Sequence, residues 1–473
     1  MLRSKESDQL TPGKNFELRG WGGALGVVFV LFLCAHLQQE SHVVKALHMA
    51  NPSGASYSEY SFADFSVYYL AGKATYGHAN PELYYPPDGS WRLNPQLRMV
   101  DPQTPWAEMG RAEGLTRVQY FLYPPLFSLL MEPFSRLSLA SAYVVWRECN
   151  LLVFLLSIFV ILRWLEPKPF WPILILSMIA AISFFPYTET AFLGQAGVIL
   201  LLLWALGVCW AEEKPLWSAL CFALGTMVKV TPVIVVPLFI LRRQWRWLLG
   251  YVGWMTVLSS VSIWRFGWQS NEIYFTKVLP SMSCGIPLRT NTSLETLLHS
   301  IYFKHVFTGT QDAVAAGLAT PSWICLTFKL MCLLIYAGSL FFFWKENKRG
   351  SVLSLELTIL VLVSVLISPV VWRHSLVIVV LPLLFLWLAT DNRTASLRRY
   401  VLLAFSTILI GTVLPFFALT LTNSTVLQIV LQLLVPGATV ALLYLLFGHY
   451  RQTMVLLRSP PGRELNRVQC GLR

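Results

Sequence analysis

The sequence predicts an all-α polytopic membrane protein, and three observations carry that reading. Of the 473 residues, 55% are hydrophobic and only 13% charged, with a mean hydropathy of +0.58. Soluble domains carry about 25% charged residues, so a water-soluble enzyme is excluded, as are disordered and fibrous chains. The apolar residues fall in repeated stretches, many near the roughly 20 residues that a helix needs to cross a hydrocarbon core of about 30 Å. Finally, 36 Lys and Arg stand against 24 acids, a net charge of +12, and most of the basic residues sit in short clusters between apolar runs. That is the positive-inside pattern of a membrane protein, so no nucleic-acid partner is expected.

Residues 1–20 are polar and carry Arg3, Lys5, Lys14 and Arg19 ahead of the apolar run 21–37. No small-residue cleavage site follows, so this run reads as a signal anchor rather than a removed leader. The Pro- and Tyr-rich stretch 38–138 is too polar to span and forms a first large outer loop. Within it, the run from Tyr123 to Ser138 is short and contains Glu132 and Arg136, which suits a helix lying along the membrane surface better than a span.

Apolar runs follow at about 140–163, 170–188, 190–211, 215–230, 231–243 and 245–266, then a second polar stretch at 267–320. Five more lie at about 321–344, 352–368, 373–390, 399–421 and 424–448, giving about 12 spans. With that count the clusters Arg163/Lys168, Arg242/Arg243/Arg246, Lys345/Lys348/Arg349, Arg393/Arg398/Arg399 and the tail 449–473 all fall on one side with the N-terminus. Both termini are therefore expected in the cytoplasm. The loops 38–138 and 267–320, with the turns at 189–195, 229–231 and 368–374, face outward. The eight cysteines show no CxxC and no Cys/His ligand spacing, so buried thiols and no metal site are expected.

Asp64 opens a short helical pattern with Phe65, Tyr68, Tyr69 and Gly72. A carboxylate there is favoured by the unpaired amides and dipole of a helix start, or serves as a general base at the membrane surface. Tyr123-Pro124-Pro125 begins the interfacial stretch, with Pro suited to a first turn. Lys229 interrupts an otherwise uncharged run just before the helix breaker Thr231-Pro232; it either snorkels or meets an anionic phosphate, since an intramembrane cation is costly without a role. Arg373 and His374, beside Trp372, are either an interfacial belt or stabilise charge on a leaving phosphate. Gln195, after Gly194 and Glu189, lies at another outer turn, where it binds a sugar or caps a helix.

Together these segments resemble glycosyltransferase family 87, the polyprenyl-phosphate-mannose-dependent mannosyltransferases of the GT-C superfamily. The matching elements are Asp64-Phe65-Ser66-Val67-Tyr68-Tyr69 with Ala71-Gly72, Tyr123-Pro124-Pro125-Leu126, Gly194-Gln195, Lys229-Val230-Thr231-Pro232, Tyr274-Phe275 to Leu279-Pro280, Asn291-Thr292-Ser293-Leu294, and Ser368-Pro369 through Trp372 and His374. They occur in the family's order across residues 62 to about 390.

The resemblance implies a GT-C-type fold of about 12 transmembrane helices, with amphipathic helices on the outer surface in the first large loop. It implies a catalytic membrane module over 21–266, a C-terminal module over 321–448, and Asp64 as catalytic base with His374 as partner. Lys229 and Arg373 would bind the donor phosphate; Tyr68, Tyr69, Tyr123, Glu189, Gln195 and Trp372 are candidates to bind substrate. The donor would be a polyprenyl-phosphate sugar and the acceptor a lipid or glycan, at the outer face of a bacterial plasma membrane, with no cofactor. A Pro- and Trp-rich insertion at 80–116 departs from the pattern and would border the acceptor cleft. The competing reading is a solute or lipid transporter, with the same charges along a pathway; the sequence shows no long internal repeat, which speaks against a transporter built on inverted repeats. A non-catalytic scaffold is the third.

Overall fold

The computed structural model describes residues 63–77, 83–84, 103–115, 118–346, 352–389, 397–412 and 424–458. The expected signal anchor, both termini and most of the 80–116 insertion lie outside these residues. Among the described residues regular structure is helical, joined by two isolated β-bridges, Leu288 to Phe307 and Asn291 to Trp372.

Among the described residues four helices are long and apolar enough to cross a membrane: Leu139–Leu165, Trp245–Ser281, Ser322–Glu346 and Thr425–Val455. A fifth arises if Phe170–Ile182 and Phe185–Leu193, bent by 58° at their junction, form one broken span. The apolar helices Gly197–Trp210, Pro215–Val228, Thr231–Leu241, Leu353–Leu366 and Arg373–Ala389 are shorter. The outer faces are apolar. Along Ser322–Glu346 only Ile324, Phe328, Ser339 and Phe343 are buried, while Leu326, Leu330, Leu333, Leu334 and Phe341 are exposed, a stripe suited to lipid rather than water.

The helix ends correct the expected runs in several places, each for a local reason. The runs 170–188 and 190–211 become three helices, because Pro186 begins a new first turn and Gly194 ends it in the left-handed conformation at φ 68°. The run 245–266 continues as helix to Ile273 and, through a π-turn at Tyr274–Val278, to Ser281. It kinks at Gly267, φ 73°, where the Asn271 amide donates to the Gly267 carbonyl at 2.8 Å and the Ser262 hydroxyl to Asn271 Oδ1 at 2.7 Å. Those bonds let a polar turn remain helical. At the other end of the chain, the last helix runs past 448 to Arg458.

The first loop differs most from expectation. The Ala63–Thr75 helix has no wet face: Phe65 through Ala71 are all buried. The stretch from Phe127 to Leu137 is no single amphipathic helix, since Pro133 divides it into Pro125–Met131 and a 3-10 turn at Phe134–Arg136. Both pack inward. Tyr68, Phe121, Phe127, Tyr143 and Trp146 join a second apolar core that also takes in Ala196, Phe266, Tyr274 and Val278. This core seats the loop helices on the membrane bundle, whose own core is centred on Leu353–Leu366 and its neighbours. Gly72 permits a close backbone approach: a Cβ there would lie 2.5 Å from the Met131 carbonyl oxygen.

Candidate active site

Where the seated loop meets the bundle, a cavity of about 710 Å³ opens, within the range of ligand sites. Its lining combines Asp64, Tyr68 and Tyr123 from the first loop with Glu189, Gln195, Lys229, Trp372, Arg373 and His374 from four helix ends of the bundle. A recess of about 50 Å³ beside it shares Tyr123, Gln195, Lys229 and His374. Nine of the ten candidates thus come together from segments spread over three hundred residues. Tyr69 does not: one residue on, it turns about 100° around the helix, and its hydroxyl donates to Leu137 O at 2.8 Å, with Glu113 Oε2 at 3.1 Å.

Asp64 stands in the first turn of its helix, and its side chain is turned to a specific donor. Gln195 Nε2 donates to Asp64 Oδ2 at 2.7 Å. At the other end of that amide, Gln195 Oε1 lies 2.6 Å from the Tyr68 hydroxyl and 3.2 Å from that of Tyr123. The two phenols are 2.5 Å apart, so one donates to the amide while the other donates to its neighbour. Burial holds both phenols well above their ordinary pKa, which keeps them as donors. The Asp64 carboxyl is also raised, chiefly because the surrounding protein displaces water, with the Gln195 bond opposing the shift.

The position of Gln195 follows from Gly194. A Cβ on Gly194 would lie 2.6 Å from Phe65 Cβ, so only glycine lets the Asp64 helix approach this turn, and its φ of 68° favours glycine independently. Trp146 Nε1 donates to the Gly194 carbonyl at 2.7 Å, fixing the turn from a third element.

The cations differ from one another. Arg373 pairs with Glu189 and its guanidinium lies 5.4 Å from the Phe185 ring centre. Lys229 caps the C-terminus of Pro215–Val228 with its backbone N–H on Gly225 O, while its side chain lines the cavity and makes no hydrogen bond or ion pair among the described residues. His374 is buried, with Lys229 and Arg373 as its charged neighbours, and its carbonyl accepts from Thr190 Oγ1 at 3.1 Å.

Asn291, in the segment Asn291-Thr292-Ser293-Leu294, acts from outside the cavity lining. Fully buried, it accepts from the backbone N–H groups of Val371 at 2.8 Å and Ser293 at 3.2 Å. Its amide donates to Ile286 O and Pro369 O, both at 3.1 Å. Thr292 adds bonds from its N–H and hydroxyl to Val371 O at 2.8 and 3.0 Å. Together they pin the Ser368–Trp372 segment that presents Arg373 and His374. Gln119, Ser283 and Thr290 also line the cavity, and no sequence motif marks them.

Several known proteins are similar to this chain. A polyprenol-phosphate-mannose-dependent alpha-(1-2)-phosphatidylinositol mannoside mannosyltransferase of Mycobacterium tuberculosis is 24% identical over 279 residues, 54% of this chain and 58% of the relative. The protein of the same description from Mycolicibacterium smegmatis is 23% identical over 276 residues, with the same shares. An alpha-(1->3)-arabinofuranosyltransferase of Mycobacterium tuberculosis is 27% identical over 241 residues, 49% of this chain and 50% of the relative. The chain thus spans little more than half the length of these relatives. No solved structure gives a significant match. The model of glycosyltransferase family 87 matches residues 121–369, which include Tyr123, Glu189, Gln195 and Lys229, and with more than half of its length matched, the chain belongs to that family.

Proposed function

We propose that this chain transfers a hexose, mannose in our reading, from a polyprenyl-phosphate donor to a lipid or glycan acceptor, by direct displacement with inversion. The observation that carries the proposal is one cavity whose lining joins the Asp64 carboxylate to Lys229, His374 and Arg373. In this scheme Asp64 takes the proton of an acceptor hydroxyl as its oxygen bonds to the sugar's C1. The bond from C1 to the phosphate oxygen breaks, and polyprenyl phosphate leaves with the electron pair. Lys229 stabilises the developing phosphate charge; Arg373 is shared between Glu189 and the phosphate, and His374 donates to it or orients the acceptor. Tyr68, Tyr123 and Gln195 hold Asp64, and Trp372 and Glu189 line the sugar's place. The names of the mannosyltransferase relatives support the donor class.

The reading includes about 12 spans, with the shorter apolar helices counted alongside the long ones, and a cavity open to the outer face of a bacterial plasma membrane. It is tested with purified protein, short-chain polyprenyl-phosphate mannose and a membrane extract as acceptor. Asp64→Asn, which preserves size, is expected to express normally and to lower turnover by about 10²-fold or more. Lys229→Met is expected to insert at least as well as wild type and to raise KM for the donor sharply. Wild-type turnover in Asp64→Asn overturns the mechanism. Transfer from a polyprenyl-phosphate arabinofuranose but not from the mannose donor overturns the sugar alone.

A further inference from the structure

A second cluster of chemical groups lies apart from the lining of that cavity, where the polar stretch after the Trp245–Ser281 helix folds onto the start of Ser322–Glu346. One ligand atom each from Cys284, Glu295 and Cys325 lies within 4.8 Å of the other two. The two sulfurs are 3.1 Å apart. His299, one turn along the Leu294–Phe303 helix from Glu295, brings Nε2 to 3.7 Å from Glu295 Oε1, while its Nδ1 lies 3.2 Å from Thr320 Oγ1.

Glu295 is the informative member. It is 0% exposed, and neither carboxylate oxygen has a hydrogen-bond partner; His299 Nε2 has none either. A carboxylate taken out of water without donors is strongly disfavoured unless a cation compensates it. Gly285 packs against it so closely that a Cβ there would lie 2.9 Å from Glu295 Cδ, so the carboxylate is held rather than free to swing to solvent. A Cys284–Cys325 disulfide would account for the two sulfurs but, being neutral, would leave the buried carboxylate facing only the His299 imidazole at 3.7 Å, without a hydrogen bond.

We propose that Cys284, Cys325, Glu295 and His299 bind a divalent metal ion of the zinc class. Two thiolates, a carboxylate and an imidazole form a donor set suited to tetrahedral zinc. Across such an ion the sulfurs stand about 3.8 Å apart and nitrogen and oxygen about 3.3 Å, so the sulfurs part and the His299–Glu295 pair closes; Cys284, Glu295 and Cys325 already lie within 4.8 Å of one another, and His299 is the ligand that must swing inward to complete the set. On binding, each thiol gives its proton to the solvent. Four protein ligands leave no position for substrate, which makes the ion structural. It would fasten Leu294–Phe303 and Ser322–Glu346 to the turn whose preceding residues, Met282 and Ser283, line the large cavity. The ligands are separated by up to 41 residues, which is why no spacing motif announced them.

The test uses full-length protein purified in detergent under reducing conditions, loaded with zinc, desalted and measured by elemental mass spectrometry, then exchanged with cobalt(II). The expected result is about one ion per chain and thiolate-to-cobalt charge-transfer absorption. Glu295→Gln, of unchanged size, and the double variant Cys284→Ser/Cys325→Ser are both expected to lose the retained ion. If the double variant fails to fold, the wild-type cobalt spectrum and Glu295→Gln decide. Loss of the ion on desalting, with both thiols open to alkylation, overturns the proposal. A Cys284–Cys325 disulfide in unreduced peptides from protein without metal overturns it equally. Neither readout depends on transferase activity.

Discussion

Gln195 combines two tasks that only a side-chain amide unites, accepting from phenols at one end and donating to Asp64 at the other. Because an ionised carboxylate can only accept, Asp64 fixes which end of the amide faces it and leaves Oε1 to the phenols. The consequence appears in the pH dependence. Burial raises the Asp64 pKa and the Gln195 bond holds it down, and a base works only when deprotonated. The acid limb of kcat/KM is therefore expected above the ordinary aspartate value of about 3.9. Gln195→Leu removes the donor, and the limb is expected to move to higher pH, with the rate partly recovered above it. A lowered plateau with an unmoved limb would reduce Gln195 to packing. The linkage has the opposite sign from that of a salt-bridged aspartate: the folded pKa lies above the unfolded one, so ionisation costs stability as pH rises from about 3.9 through the folded value. Asp64→Asn should accordingly keep or raise the melting temperature at neutral pH while losing turnover.

Asn291 plays the corresponding part among elements: of its four side-chain bonds, two reach Pro369 and Val371 in the Ser368–Trp372 segment, one the Ser293 N–H at the start of Leu294–Phe303, and one the Ile286 carbonyl in the turn before it. Asn291→Leu leaves two N–H groups and two carbonyls without these partners, at about 1–3 kcal/mol for each that water cannot reach. A clearly lower melting temperature and weaker donor binding are expected. Asn291→Asp, which keeps the acceptor and loses the donors, should fall between; equal melting temperatures for all three would refute the pinning role. This element was visible in the sequence only as a motif, because its partners lie as many as 80 residues away. Likewise Gly194-Gln195 stood out as a turn, but not as the contact for a helix 131 residues earlier. The apolar runs located the bundle helices well, since length and hydropathy suffice for that. They missed the break at Gly194, which depends on backbone conformation, and the continuation of the 245–266 run past the kink at Gly267 to Ser281; the pattern over the Ala63–Thr75 helix shows one aromatic face only. Aromatic periodicity marks which residues share a face but not how many faces are covered, and the first-loop core covers this helix all round.

Across the whole molecule, polar contacts separate to opposite ends of shared helices. Arg242 Nε donates to Glu356 Oε2 at 2.8 Å, Tyr450 donates to Glu356 Oε1 at 2.6 Å, and Arg242 also reaches the Phe343 carbonyl at 3.2 Å. Glu212 accepts from the Ser354 backbone N–H at 3.3 Å. The alternation of about 12 spans that we propose would assign every one of these residues to the side of the basic clusters. The cavity collects residues that the same alternation assigns to the other side, and Leu353–Leu366 runs from Glu356 toward Ser368, which lines it. Membership of a glycosyltransferase family sets the transporter reading aside and makes the sidedness of this cavity the useful question. Lys304 and Lys345, both exposed, flank the Ser322–Glu346 helix, whose 25 residues extend about 37 Å, enough to cross the hydrocarbon core. The charge pattern puts Lys304 outside and Lys345 inside. Lys304→Cys should therefore react with a membrane-impermeant thiol reagent on intact cells, and Lys345→Cys only after permeabilisation. The parent chain serves as the blank for native thiols. The reverse pattern would invert the orientation and turn the cavity toward the cytoplasm, where the donor and acceptor would have to be supplied from that side. Labelling of both positions on intact cells would mean that this helix does not span, and the count of spans built on it would fall.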